Sequence, residues 1–191
     1  KKSTIRIKEK SEKVAGNIIQ RNFKADRPLQ KWTTDVTQFH FSWGKCYLSP
    51  ILDMNTNEII SYDLAMIPNL NQIKRMLNRA FKKFRNLQGL IMHSDQGWQY
   101  QHEFYRSELK KHGIIQSMSR KGNYYDNSIM ETFFGRMKNE MYYGSEKEYT
   151  SFKVFAKAVK EYIHYFNKER IQKKTKWMPP EIYRETSTNA I

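Results

Sequence analysis

WTTDVTQFHFSWGKCYLSPILDMNTNEIISYDLAM, residues 32–66, decides the fold. Within it, WTTDVTQFHF (32–41), CYLSPILDM (46–54) and EIISYDLAM (58–66) are three short runs rich in β-branched and aromatic residues. The turn-forming stretches SWGK and NTN separate them, so the segment predicts an antiparallel meander of three strands. Pro50 has no N–H to give a ladder, and its place inside the second run argues for an edge strand or a bulge there.

Downstream, Leu70, Ile73, Met76, Leu77, Ala80, Phe81 and Phe84 recur at i, i+3, i+4 spacing while Lys74, Arg75, Arg79, Lys82 and Lys83 fall off that stripe, which predicts an amphipathic helix over 69–84. GLIMHSD (89–95) is short and continuously apolar before it turns polar, as a buried strand is at its carboxyl end. HEFYRSELKKHG (102–113) reads as a helix with Glu early, Lys late and Gly113 as its stop, and IIQSMSR (114–120) as a fifth strand. The sum is an α/β fold: a mixed five-stranded sheet flanked by helices. Around it the texture divides the chain into a basic arm (1–28), with at most a short helix through Val14, Ile18 and Ile19, a core (29–150), and a C-terminal helix with a basic tail (151–191). Phe152, Phe155, Val159, Tyr162, Ile163 and Phe166 give that helix a core-packing stripe.

The 191 residues carry 34 Lys/Arg against 19 Asp/Glu, a net charge of +15. The excess is greatest in residues 1–31, with 10 basic and 3 acidic side chains. Such a field attracts polyanions, and nucleic acid is the commonest of these in a cytosol. Cys46 is the single cysteine, which rules out an intramolecular disulfide and fits a reducing, cytoplasmic setting. Five scattered histidines and one cysteine do not supply zinc-finger spacing. No apolar run reaches the roughly 20 residues of a membrane span, so no membrane partner is expected.

Three carboxylates organise the functional reading. Asp35 lies in the first strand and Asp95 at the end of the fourth, where open α/β sheets build their ligand sites. Glu131 falls on a helix starting near Asp126, sharing one face with Asn127 and Lys138, while Ile129, Met130, Phe133, Phe134, Met137 and Met141 take the other. Gly135, one turn beyond Glu131, leaves room for a phosphate backbone. Carboxylates held this way suit hard divalent cations, and Mg²⁺ in particular is shared between protein carboxylates and substrate phosphates. Among the remaining acids, Asp126 reads as the cap of that helix, Asp53 as a turn residue, and Asp63 as a strand residue of undecided facing. His93, two residues before Asp95 and on the same strand face, is a candidate to orient a ligand. Tyr124 and Tyr125 are candidates to stack on a base.

The contexts WTTDVTQF, HSDQGWQY and GNYYDNSIMETFFGRMKNE resemble the catalytic core of DDE transposases of the insertion-sequence three family, relatives of the retroviral integrases. Fifty-nine residues separate Asp35 from Asp95 and 35 separate Asp95 from Glu131, the latter interval being characteristic of that family. The resemblance runs from about Val14 to Tyr183. It implies a ribonuclease H-like fold, with Asp35, Asp95 and Glu131 as catalytic metal ligands for a pair of Mg²⁺ ions, Mn²⁺ substituting. It also implies DNA cleavage and strand transfer, a homo-multimer assembled on element ends and target DNA, and no small-molecule cofactor. Lys138 becomes the residue that engages the terminal DNA, with Asn127, Tyr124, Arg120 and Lys121 beside it. A complete transposase carries a helix-turn-helix region upstream, and Trp177 with Pro179–Pro180 stands where a smaller residue and a single proline are expected. Two other readings share these features: a ribonuclease H-like nuclease or resolvase using only water, and a catalytically silent DNA-binding module.

Overall fold

The run at 32–41 forms two strands, β1 (Lys31–Thr34) and β2 (Thr37–Phe41), and the break between them falls opposite a proline. Both pair antiparallel with β3 (Gly44–Asp53) in a single register, Thr34 opposite Ile51 and Thr37 opposite Leu48, so Asp35 and Val36 face Pro50 and Ser49. Pro50 has no hydrogen to donate across this gap, and its carbonyl takes the Thr34 hydroxyl at 2.8 Å instead. The proline therefore lies inside a central strand, not at an edge. It is tolerated because the side of β3 to which its carbonyl points is where the ladder is interrupted. A register shift at Ile51/Leu52 against β4 (Ile59–Ala65) supplies the neighbouring bulge.

Counted by hydrogen bonding the sheet has six strands, and β1 with β2 makes up the first of the five expected. Beyond β1 lie β5 (Ile91–Ser94) and then β6 (Ile115–Met118), both parallel. The computed structural model describes residues 14–120 and 124–188. Residues 14–30 hold no helix.

Period-two alternation sends successive side chains to opposite faces, and each face has its own core. Trp32, Ile51, Met92 and Met118 pack with Ile73, Met76, Leu77 and Ala80 of α1 (Leu70–Lys83) and with Tyr105 and Leu109 of the helix that follows Asp95. Phe39, Cys46, Leu48 and Leu52 pack on the other face against two C-terminal helices. α1 begins where the Asn69 side chain accepts from the Gln72 N–H and ends on Lys82 and Lys83, as its macrodipole favours. After β5 come a single turn α2 (Trp98–Gln101) and α3 (Glu103–Lys111), stopped by Gly113 at φ 66°. A 3₁₀ turn, Tyr124–Asn127, opens into α4 (Ser128–Met141). Its Met130, Phe133, Phe134 and Met137 meet Phe155, Val159, Ile163 and Phe166 of α5 (Phe152–Lys168). Burying each of these side chains stabilises the fold by about 1.5–3 kcal/mol.

Asp53 organises the β3–β4 turn. Its buried carboxylate accepts from the Leu29, Asn55 and Thr56 N–H groups, the Thr56 hydroxyl and the Trp32 indole. Beyond α5, Gln172 and Met178 form a bridge that closes a small hairpin, and α6 (Pro180–Thr188) starts with Pro180 at a position where proline's missing N–H costs nothing. The hairpin tip passes through Lys176 (φ 54°) and Trp177 (φ 64°), both left-handed. That is the physical reason a smaller residue is expected at 177. Replacing Trp177 by glycine relieves the backbone but gives up the buried part of the indole, two opposing terms of about 1–2 kcal/mol each. The expected result is a folded protein whose thermal midpoint moves by only a few degrees, read by circular dichroism.

Candidate active site

Parallel pairing of β1 with β5 sets Thr33 beside His93, and the same register carried two residues further brings Asp35 beside Asp95. Both lie just past the carboxyl ends of adjacent strands, which run about 4.8 Å apart. They share a face with Thr33 and His93, and that face looks toward the start of α4. Thr33 Oγ1 donates to Asn127 Oδ1 at 3.3 Å, and Asn127 Nδ2 donates to Asp35 Oδ2 at 2.9 Å. Glu131 stands one helical turn after Asn127 and is exposed on α4, as the helical spacing predicts.

The local turns hold each acid. Asp35 Oδ1 accepts the Val36 N–H at 2.7 Å. Asp95 Oδ1 accepts the Gly97 N–H at 2.9 Å, and a Cβ added at Gly97 would lie 2.9 Å from that oxygen, so glycine allows the carboxylate to fold back over its own turn. Burial first, then the negative charge of Asp95, pushes the Asp35 carboxyl up to about 7 against the pull of the Val36 N–H, with Glu131 adding to the rise and Asn127 opposing it. Asp35 thus feels both other acids. Among the described residues no Lys or Arg forms an ion pair with any of the three. Nor, among those residues, do three acids, histidines or cysteines converge tightly enough to grip one ion between them.

His93 is fully buried behind this site. Ser117 Oγ accepts the N–H groups of Ile18 and Ile19, so its own hydrogen goes to His93 Nδ1 at 2.9 Å. Nε2 then carries the proton and donates to the Asp126 carbonyl at 2.8 Å. Burial holds the imidazole below its usual range, consistent with this neutral tautomer. His93 ties β5 and β6 to the segment that delivers Asn127.

Asp126 is not the helix cap. Asn127 occupies that position without a side-chain capping bond, and the buried Asp126 carboxylate instead collects Arg120 through its backbone N–H, Nε and Nη2, Arg21 through Nε, and Asn17 through Nδ2. These donors, Arg120 foremost, hold the Asp126 carboxyl well below the ordinary carboxylate range. Asp63 resolves as the ion-pair partner of Arg75 and Arg79. Lys138 lies over β2, its Nζ donating to the Gln38 carbonyl at 3.2 Å and sitting 5.2 Å from the Phe39 ring centroid. Around Gly135 the space is open. Tyr125 is exposed and stacks under the Arg21 guanidinium. Lys121 and the Tyr124 side chain lie outside the described residues.

The structure thus brings Asp35, Asp95, Asn127 and the helix of Glu131 together and sends Arg120 to a structural pair. Sequence reasoning missed Thr33, Ser117, Asn17 and Arg21. The last two reach Asp126 across 109 and 105 residues, a separation for which no local pattern gives a signal.

Residues 25–124 match the integrase core domain family, and residues 131–187 match a second integrase core domain description. The chain belongs to the integrase core family of insertion-sequence transposases. An uncharacterized transposase-like protein of Haemophilus influenzae is 52% identical over 176 residues, covering 92% of this chain and 80% of that protein. The putative transposase InsK for insertion sequence element IS150 of Escherichia coli is 48% identical over 170 residues, covering 89% of this chain and 59% of that one. The magnesium complex of the HTLV-2 integrase catalytic core, trimeric form, superposes with a TM-score of 0.66 at 14% identity, covering 84% of this chain and 99% of that one. That likeness establishes the fold of the transposase core, a ribonuclease H-like mixed sheet. Among the described residues no helix is long and apolar enough to cross a membrane.

Proposed function

We propose that this transposase core cuts and joins DNA strands at Asp35, Asp95 and Glu131 with a pair of bound divalent metal ions. The observation that carries the reading is the register placing Asp35 beside Asp95 on the face where Asn127 ties Asp35 to the start of the Glu131 helix. The donor chemistry is that of magnesium ligands: three carboxylates to which no cationic side chain among the described residues is paired, and a proton affinity at Asp35 raised by burial and crowded negative charge. When bound, Mg²⁺, or Mn²⁺ in its place, supplies Lewis acidity to the attacking water or DNA 3′-hydroxyl and to the leaving oxygen.

The protein's own share is positioning. Asp35 and Asp95 project from rigid strand ends, so their spacing is set by the sheet. Asn127 fixes the rotamer of Asp35 by donating to one oxygen, and the Val36 N–H fixes the other. Glu131 approaches from a helix whose inner stripe is locked in the core. The open surface at Gly135 admits a DNA backbone, and Lys138, on the same helix, meets its phosphate. Two copies or more act together on the element ends, in the bacterial cytoplasm.

A labelled duplex carrying an element end tests the activity: cleavage with Mg²⁺ or Mn²⁺ that EDTA abolishes is expected, and cleavage that survives EDTA overturns the metal assignment. Asn127→Ala should lower the rate roughly 10–100-fold, as loss of an orienting contact does, with DNA affinity unchanged. Because Asn127 stabilises ionised Asp35, its loss raises that pKa further, so the acid limb of the pH–rate profile should move to higher pH. An unshifted limb would remove Asn127 from this role.

A further inference from the structure

The hairpin after α5 presents a large aromatic side chain to solvent from a firmly anchored base. Gln172 is buried and its Oε1 accepts from Asn57 Nδ2 at 2.9 Å. Lys174 Nζ reaches the Met54 carbonyl at 2.6 Å and Asn57 Oδ1 at 2.8 Å. The buried Thr175 hydroxyl bonds the Gln172 and Met178 carbonyls on both sides of the bridge. This framework leaves Trp177 64% exposed, in a left-handed conformation that L residues rarely adopt, with Lys173 and Lys176 exposed beside it. Lys173 opens a 3₁₀ turn and the left-handed Lys176 closes it, so the two lysines bracket the turn that leads into Trp177.

Nothing in the proposed chemistry uses this surface. The hairpin docks on the β3–β4 turn, and Asp53 of that turn pairs with Trp32 near the start of β1, whereas Asp35 lies past its end. The turn that anchors the hairpin thus lies roughly 10–13 Å along β1 from Asp35, at about 3.3 Å per residue. Of the five Lys/Arg in residues 168–176, Lys168 and Arg170 pair with Glu181 and Glu140 and Lys174 is held by the β3–β4 turn, which leaves Lys173 and Lys176 facing solvent beside the indole as the charges an anionic occupant would meet. An exposed indole flanked by ammonium groups matches a polyanion that also offers flat faces, which a duplex keeps stacked inside and a single strand exposes.

We propose that Trp177, Lys173 and Lys176 form a second DNA contact that takes single-stranded DNA, the indole stacking on an unpaired base and the two lysines meeting the flanking phosphates. The inference rests on the reading that the chain works on DNA and gives that work a holding site for a strand freed by cutting.

The test is fluorescence anisotropy of the whole chain with a labelled 12-nucleotide oligothymidylate and with a 12-base-pair duplex, in EDTA so that no cleavage intervenes. Trp177→Ala should weaken single-strand binding about tenfold, within the range of one lost stacking contact, and duplex binding less than twofold. Trp177→Phe should retain most of the affinity. Trp177→Gly, at a backbone position made for glycine, should behave as Trp177→Ala with a native circular dichroism spectrum. Lys173→Ala with Lys176→Ala should flatten the slope of log affinity against log salt by roughly 1.4, two phosphates at about 0.7 each. Unchanged single-strand affinity in Trp177→Ala, or equal loss on both substrates, overturns the proposal. Absence of metal-dependent cleavage alongside Trp177-dependent single-strand binding would overturn the catalytic reading alone.

Discussion

Glu131→Gln is expected to lose strand transfer by three orders of magnitude or more, about 4 kcal/mol of barrier, while folding and binding DNA as the parent does. The glutamine keeps the length and volume of the side chain on an exposed helix face, so the packing of Met130, Phe133, Phe134 and Met137 is untouched. What disappears is one full negative charge and its capacity to share a divalent cation. Loss of both DNA affinity and activity would point instead to a damaged surface. Retained activity in the purified variant would remove Glu131 from the ligand set.

Asp35→Asn is expected to be inactive and yet more stable than the parent above neutral pH. The folded protein holds the Asp35 proton up to about 7, whereas the ordinary carboxyl releases it near 3.8. The folded state therefore binds more protons than the unfolded chain between these values, and parent stability falls as pH rises through that window. Well below 3.8, near pH 3, both states are protonated and the two proteins should unfold alike. Above pH 7 the variant should gain about 2–4 kcal/mol, since a tenfold change in proton affinity is worth about 1.4 kcal/mol and relaxation around the buried charge discounts the total. Mg²⁺ should narrow this gap by stabilising the parent alone. Urea titrations at pH 3, 6 and 8 measure it, and a gap independent of pH would show that burial and neighbouring charge do not raise the Asp35 carboxyl. Asp126 makes the opposite case: arginine partners lower its pKa, so its contribution is present above about 4 and fades on acidification.

The sheet was legible because alternation and turn residues are local signals. The helix at 70–83 and the packed stripe of α4 follow from periodicity, and the strand ending before Asp95 from a short continuous apolar run. Pro50 was harder to read, since its tolerance depends on which residues of a partner strand lie opposite, and the gap it fits is made by Asp35 itself. The carboxylates stood out by context, but their convergence is a register property, fixed only when Thr33 is known to pair with His93. Asp126 reads locally as a cap, whereas it pairs with Arg120 six residues before it and with Arg21 and Asn17 from more than 100 residues away. Asn127 was legible as a face-mate of Glu131, not as the residue that holds Asp35.

The most direct measurement of the central claim is strand transfer run in reverse. A labelled branched DNA that mimics a joined end is incubated with the parent chain or Glu131→Gln, with Mg²⁺, Mn²⁺ or EDTA. The account predicts resealed DNA with either metal, and none in EDTA or with the variant. Hydrolysis of the branch without resealing, or resealing by Glu131→Gln, would contradict it.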